Sequence, residues 1–265
     1  MSHEQTSAKA VILKDLAKAL REAERTCKAI RPISSQEDLT LADAYAIQKT
    51  NIDERLAHGE VITGKKIGLT SKAMQDLLGV RTPDFGHLMD TMAVSDNRIE
   101  RNELLQPKVE GEVTFVLKKD LMGPNVTAQE VLDATDYVVA SIEVVDSRIT
   151  DWKINILDTV ADNASASRYV LSEKRVDPRT VDLKKLAMDL FINGQRVNGG
   201  VGTDVLGDPS NCVAWLANQM APFGIALKAG EIVMSGALSA AVAVKAGDLC
   251  TVVLSELGEC SVRFV

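Results

Sequence analysis

Apolar and polar positions follow two rhythms along this chain, helical near the start and strand-like over most of the remainder. Ala8, Val11, Ile12, Leu16, Ala19, Leu20 and Ala23 recur at helical spacing among Lys14, Asp15, Lys18, Arg21 and Glu22, which predicts an amphipathic first helix that packs by its apolar face. Thr40 with Asp43 forms a capping pattern ahead of Leu41, Ala44, Tyr45, Gln48, Ile52 and Leu56, so a second helix runs to His58-Gly59. Residues 61–67 read as a strand carrying two lysines, and residues 71–78 as a short helix closed by Gly79. Arg81-Thr82-Pro83-Asp84-Phe85-Gly86 has the chemistry of a loop joining two regions, a mainly helical one over residues 1–78 and a larger one over residues 79–265.

In the larger region short strands alternate with turns. Residues 109–117 and 137–145 are strand-like, Thr127 with Glu130 caps a helix, and Pro209 opens another that carries Val213, Trp215, Leu216 and Met220. Asn193-Gly194 is a hairpin signal, and residues 231–235, 241–244, 249–254 and 260–265 are strands separated by glycine-containing turns. This pattern suits a rolled sheet or barrel-like sandwich. No dinucleotide fingerprint, phosphate loop, nucleophile elbow or internal repeat is present.

Against that apolar background, Val109-Glu110-Gly111-Glu112-Val113 stands out. Residues two apart on a strand share a face, so both glutamates project the same way. Two adjacent carboxylates in an apolar sheet cost several kcal/mol unless protonation, a cation or a metal relieves them. Glu143 lies in the second apolar strand, within Ala140-Ser141-Ile142-Glu143-Val144-Val145-Asp146. A triad of hard oxygen ligands suits Mg²⁺ or Mn²⁺ holding an oxygen-rich substrate, and a solvent-facing strand is the competing explanation. In Gly64-Lys65-Lys66-Ile67-Gly68 the adjacent lysines point to opposite faces, so one can be inside while the other is solvated. Asp158 to Ser165 is dense in hydrogen-bonding side chains, which marks a polar network or a set of turn caps. Met234-Ser235-Gly236-Ala237-Leu238-Ser239 offers small residues for close backbone approach, or a plain tight turn.

Composition narrows the setting. The 265 residues are 46% hydrophobic and 25% charged, an ordinary globular balance, and the net charge of −7 argues against nucleic-acid binding through a broad basic face. Cys27, Cys212, Cys250 and Cys260 lack metal-ligand or disulfide-framework spacing, which suits a reducing compartment. The N-terminus shows no signal-peptide core, and the apolar stretch over residues 236–244 is too short to span a bilayer, so a cytoplasmic protein without membrane association is expected.

Taken in order, Gly64-Lys65-Lys66-Ile67-Gly68-Leu69-Thr70-Ser71, Pro83-Asp84-Phe85-Gly86, Pro107-Lys108-Val109-Glu110-Gly111-Glu112-Val113, Glu143-Val144-Val145-Asp146-Ser147-Arg148, Asp158 to Ser165 and the terminal segment from Gly258 match one known pattern. The chain resembles the fumarylacetoacetate hydrolase superfamily, in its hydratase/decarboxylase branch of aromatic meta-cleavage pathways. The resemblance implies an α+β fold, with a small helical N-terminal region and a mixed β-roll catalytic domain. It implies Glu110, Glu112 and Glu143 as ligands of Mg²⁺ or Mn²⁺, Lys66 and Asp84 as acid/base groups, and Ser165 as a substrate or water contact. The implied substrate is a small anionic 2-hydroxy-dienoate or 2-oxo-enoate, the implied assembly a homo-oligomer, and association with a neighbouring pathway enzyme is compatible with it.

The activity implied is hydration of 2-hydroxypenta-2,4-dienoate to 4-hydroxy-2-oxopentanoate. The alternatives are decarboxylation of 2-oxo-3-hexenedioate, hydration of a longer dicarboxylate, and acylpyruvate C–C hydrolysis. Asp84 favours hydration, because decarboxylases of the branch lack an acid before the aromatic-glycine pair. Hydrolysis would want a His/Glu pair, and of His3, His58 and His87 only His87 is placed to serve, a surface histidine being the plainer reading.

Overall fold

A computed structural model describes residues 3–71, Gln75 and residues 80–265. The helix expected over residues 71–78 lies outside the described residues apart from Ser71 and Gln75. The first helix, α1 (His3–Thr26), buries Leu16, Leu20 and Ala23 of the expected apolar stripe together with Ala17, while Val11 of that stripe is exposed. The second, α2 (Leu41–Ala57), starts at a reciprocal cap in which Thr40 Oγ1 accepts from the Asp43 amide at 3.2 Å and Asp43 Oδ2 accepts from the Thr40 amide at 2.8 Å. These helices share an apolar cluster with Ile149, Val160 and Ala161, which ties them to the sheet-rich region.

The strands are β1 (Ile62–Gly68), β2 (Asp84–Met89), β3 (Arg98–Ile99), β4 (Lys108–Leu117), β5 (Thr135–Val145), β6 (Ala166–Leu171), β7 (Ala187–Ile192), β8 (Gln195–Val201), β9 (Ile232–Ala237), β10 (Val242–Ala243), β11 (Leu249–Leu254) and β12 (Gly258–Phe264). One sheet runs β2-β1-β9-β4-β5-β6, with β10 also on β4, and mixes a parallel β1/β9 pair with antiparallel neighbours. The other runs β3-β12-β11-β7-β8. The remaining helices are α3 (Ala128–Ala134), α4 (Ile156–Ala161) and α5 (Pro209–Met220). This is the expected α+β architecture of few helices around curled sheets. Among the described residues no helix is long and apolar enough to cross a membrane.

Alternation along β4 and β5 decides where the core ends and the polar face begins. Val109, Val113 and Phe115 of β4 and Val138, Ala140, Ile142 and Val144 of β5 enter one apolar cluster with Met188, Val252, Val262 and Phe264 of the second sheet. Gly111 sits on that same face, where a Cβ would lie 2.9 Å from Met188 Sδ and 3.0 Å from a Val252 methyl. The glycine between the two glutamates therefore lets the sheets close. Glu110, Glu112 and Glu143 occupy the opposite face.

Two sequence expectations change in detail, and a third holds. Asp84 opens a strand instead of sitting in a loop, paired in register with Gly68. Residues 158–165 include α4, capped by Asn155 Oδ1 accepting from Leu157 N at 2.8 Å, and Asp158 is engaged by Ser34 Oγ at 2.7 Å. The hairpin at Asn193-Gly194 is present, with φ of 53° and 79° as its turn requires.

Replacing Gly111 with valine should lower stability by about 1–3 kcal/mol, because branched bulk is forced into a packed inter-sheet space. Urea denaturation checks this, and an unchanged midpoint would contradict the close approach.

Candidate metal centre

Register places the acidic residues. Glu110 is the cross-strand partner of Glu143, while Glu112 faces Ser141, whose hydroxyl donates to the Glu112 carbonyl at 3.0 Å and accepts from Thr114 Oγ1 at 2.7 Å. Like charges directly opposite on a sheet are destabilising, so this pairing needs a cation. One carboxylate oxygen from each of Glu110, Glu112 and Glu143 lies within 4.8 Å of the others. Glu112 and Glu143 are 1% and 0% exposed. Oε1 of Glu112 and Oε2 of Glu143 are buried without a hydrogen-bond partner, and Oε1 of Glu143 meets only the Lys66 ammonium. Glu112 Oε2 is held by the Gly236 amide at 2.9 Å. Gly236 has φ of 106°, and a Cβ there would meet Thr70 Oγ1 at 2.4 Å, so the position needs glycine.

Lys66 reaches this group from β1. Its ammonium lies 3.2 Å from Glu143 Oε1 and donates to the Ala164 carbonyl at 3.0 Å. Asp84, 1% exposed, sits across Gly68, where a Cβ would fall 2.3 Å from Asp84 Oδ1 and 3.5 Å from Lys66 Nζ. Thr159 Oγ1 donates to Asp84 Oδ2 at 3.3 Å, and Oδ1 is buried without a partner.

Ser165 follows the carbonyl that accepts from Lys66, and its hydroxyl is buried and unpartnered. The structure therefore brings Glu110, Glu112, Glu143, Lys66 and Asp84 together, with Ser165 adjoining through Ala164. Sequence reasoning missed the Gly236 amide, the Ala164 carbonyl and the spacer Gly68. Gly236 did fall in a segment of small residues read as open to close backbone approach, and Gly68 follows the end of a predicted strand.

Electrostatics in the group are lopsided. Burial, then the Glu143 charge, pushes Glu110 up to about 7, and burial with Glu143 and Glu110 holds Glu112 well above the carboxylate range. Burial also raises Glu143 against the pull of Lys66, and raises Asp84 likewise. For Lys66 burial opposes the charge, yet Glu143, Glu110, Asp84 and Glu112 together win and hold it as an ammonium. Among the described residues, four carboxyl groups therefore face one ammonium. Orphaned oxygens and converging carboxyl groups that cannot all ionise together without a cation fit a hard dication with oxygen ligands.

Lys65 departs from expectation. It is 3% exposed, not solvated, and its ammonium binds both oxygens of Glu231 at 2.9 and 2.8 Å. β1 is an interior strand between β2 and β9, and Glu231, immediately before β9, lies within reach of the lysine, so Lys65 is enclosed and paired instead of solvated. His87 is likewise half-buried, opposite Lys65 in register, and burial followed by Lys65 pushes it down to about 4. The cysteines are free, and burial raises all four thiols, which disfavours thiolate chemistry.

Residues 71–265 match the family of fumarylacetoacetate (FAA) hydrolase C-terminal domains. The chain belongs to the fumarylacetoacetate hydrolase family. Within it, the chain is 49% identical over 218 residues to 2-hydroxypent-2,4-dienoate hydratase of Pseudomonas putida, covering 81% of this chain and 98% of that one. It is 46% identical over 249 residues to 2-hydroxyhexa-2,4-dienoate hydratase of Comamonas testosteroni, covering 92% and 94%. Its fold is similar to that of 4-oxalocrotonate decarboxylase from Pseudomonas putida G7 complexed with magnesium and adipate, with a TM-score of 0.93, 37% identity and coverage of 100% and 99%.

Removing the Lys65 side chain strands a carboxylate, so Lys65→Ala should cost roughly 3–5 kcal/mol of stability while turnover per folded molecule changes less than threefold. A Lys65→Met/Glu231→Leu double variant should recover most of that stability. Denaturation and steady-state kinetics on the same preparations check both, and an intact fold with lost turnover would place Lys65 in the chemistry.

Proposed function

We propose that this chain is a metal-dependent hydro-lyase that adds water to 2-hydroxypenta-2,4-dienoate and releases 4-hydroxy-2-oxopentanoate. The observation that carries the reading is the buried Asp84 beside Lys66 and the glutamate triad, in a chain whose 46–49% identical relatives are dienoate hydratases. Glu110, Glu112 and Glu143 would hold the ion, Mg²⁺ or Mn²⁺. When bound, it supplies Lewis-acid stabilisation of the enolate charge that develops on a 2-oxo acid.

Two proton movements belong to the protein. The dienol must gain a proton at C5 to give the conjugated 2-oxo-3-enoate, and water must then add at C4 as C3 is protonated. Asp84, raised by burial and lying beside the Lys66 ammonium, is the group placed to exchange a proton with substrate carbon. Lys66, kept cationic by surrounding carboxylates, attracts the anionic substrate and stabilises negative charge on its oxygens. Ser165 presents an unpartnered hydroxyl to orient water or a substrate oxygen. The burial of the group excludes bulk solvent, which strengthens each of these interactions.

The similarity in fold to a decarboxylase keeps one second reading in play, loss of CO₂ from a six-carbon 2-oxo dicarboxylate. A cytoplasmic homo-oligomer, with contact to a neighbouring pathway enzyme, completes the proposal; the free cysteines suit a reducing compartment.

Incubated with Mg²⁺, the protein should hydrate 2-hydroxypenta-2,4-dienoate and release little CO₂ from 2-oxo-3-hexenedioate. Dominant CO₂ release would favour the second reading. Asp84→Asn should keep fold and metal affinity but lose about 10²-fold in turnover. Glu143→Gln should weaken Mg²⁺ binding by about tenfold or more, about 1.4 kcal/mol. Full activity after thorough chelation would overturn the metal-dependent reading.

A further inference from the structure

Asn163-Ala164-Ser165 places three consecutive non-glycine residues in the left-handed region, with φ of 54°, 50° and 56°. Each costs on the order of 1 kcal/mol or more, so the turn persists only where its surroundings over-determine it. Arg148, 5% exposed, provides that determination. Its Nη2 donates to the Asp162 carbonyl at 2.6 Å, and its Nη1 to the carbonyls of Ala166 at 3.0 Å and Asp146 at 2.7 Å. Its Nε and main-chain amide donate to the two oxygens of the Asp162 carboxylate. One planar guanidinium thus grips the residues immediately before and after the left-handed stretch and ties both to the end of β5. A lysine, with a compact ammonium, cannot span those acceptors together.

What the turn carries to the site is the Ala164 carbonyl on Lys66 and, next to it, the unpartnered Ser165 hydroxyl. We infer that Arg148, with Asp162, is a positioning residue for the reaction: it acts through the left-handed turn, fixing where Lys66 is held and where Ser165 presents its hydroxyl. The inference rests on the reading that Lys66 and Ser165 serve the chemistry. Arg148 stands in the sequence after the strand that bears Glu143, in a position that reads as an ordinary strand end. Its function is legible only from the five acceptors it gathers.

The test compares Arg148→Lys, Asp162→Asn and Lys66→Ala, with circular dichroism for folding and calorimetry for Mg²⁺ affinity. Arg148→Lys should lose about 10- to 100-fold in kcat, with KM and Mg²⁺ affinity within threefold of the parent. Asp162→Asn, which keeps the shape and removes the charge, should lose less in the same direction and serves if the arginine variant does not fold. Glycine carries no left-handed penalty. In an Ala164→Gly background the same Arg148→Lys change should therefore cost at least threefold less in kcat. Folded Arg148→Lys and Asp162→Asn proteins with kcat within twofold of the parent overturn the inference, as does a loss that glycine does not relieve. If Lys66→Ala is inactive in those same assays, only the positioning role has failed. An active Lys66→Ala instead overturns the catalytic reading on which it rests.

Discussion

Crowded carboxylates on one face of a sheet are the constraint around which this structure is arranged. Glu110 and Glu143 are direct cross-strand partners, Glu112 is one alternation further along β4, and Asp84 is buried close by. Among the described residues one ammonium, that of Lys66, stands against four acids. In bulk water such a cluster would be screened, but here desolvation pushes every one of these carboxyl groups upward, and repulsion from acidic neighbours adds to it at Glu110, Glu112 and Glu143. A folded protein carries that cost where the repulsion is relieved by a ligand, and a dication relieves it most directly. Stability given up in the metal-free state returns as affinity.

The rest of the fold holds those acids close together. Strand alternation sends the apolar half of β4 and β5 into the inter-sheet core, and Gly111 allows the second sheet to approach closely. Gly68 and Gly236 open space on the acidic face, the first between Lys66 and Asp84, the second so that a main-chain amide can reach Glu112. From the other side the left-handed turn over residues 163–165 delivers a carbonyl to Lys66, and Asn163 clamps β2 by pairing its amide with the His87 main chain at 2.8 and 2.9 Å. Charge sets the demand, and backbone geometry meets it.

Much of this was legible from residue patterns. The alternation around Gly111 gave the common face of Glu110 and Glu112, both Thr-initiated caps are present, and the Asn193-Gly194 hairpin forms as its chemistry dictates. The register that sets Glu143 opposite Glu110 was not legible, since pairing is a long-range property. Burial of Lys65 was hidden for a related reason: period two predicts that adjacent lysines part company, but not that β1 has neighbours on both sides. α4 is only six residues long, too short for helical periodicity to emerge, and its residues read instead as a polar network. Nothing in Ala164-Ser165 announces left-handed residues, since local preference favours that conformation only at Asn163 and the rest depends on surrounding hydrogen bonds, those of Arg148 and Asn163 among them. Asp84 looked like a loop residue because Pro83 precedes it, whereas its strand exists through pairing with β1.

The most direct test of the central claim is calorimetry of Mg²⁺ binding to chelated protein at pH 7 in buffers of different ionisation enthalpy. With Glu110 pushed up to about 7 and Glu112 held well above the usual carboxylate range by burial and its acidic neighbours, protons compete with an incoming dication for the site. The account predicts release of about one proton or more per ion and an affinity that falls as the pH is lowered from 8 to 6. Binding without proton release and with an affinity independent of pH in that range would contradict it.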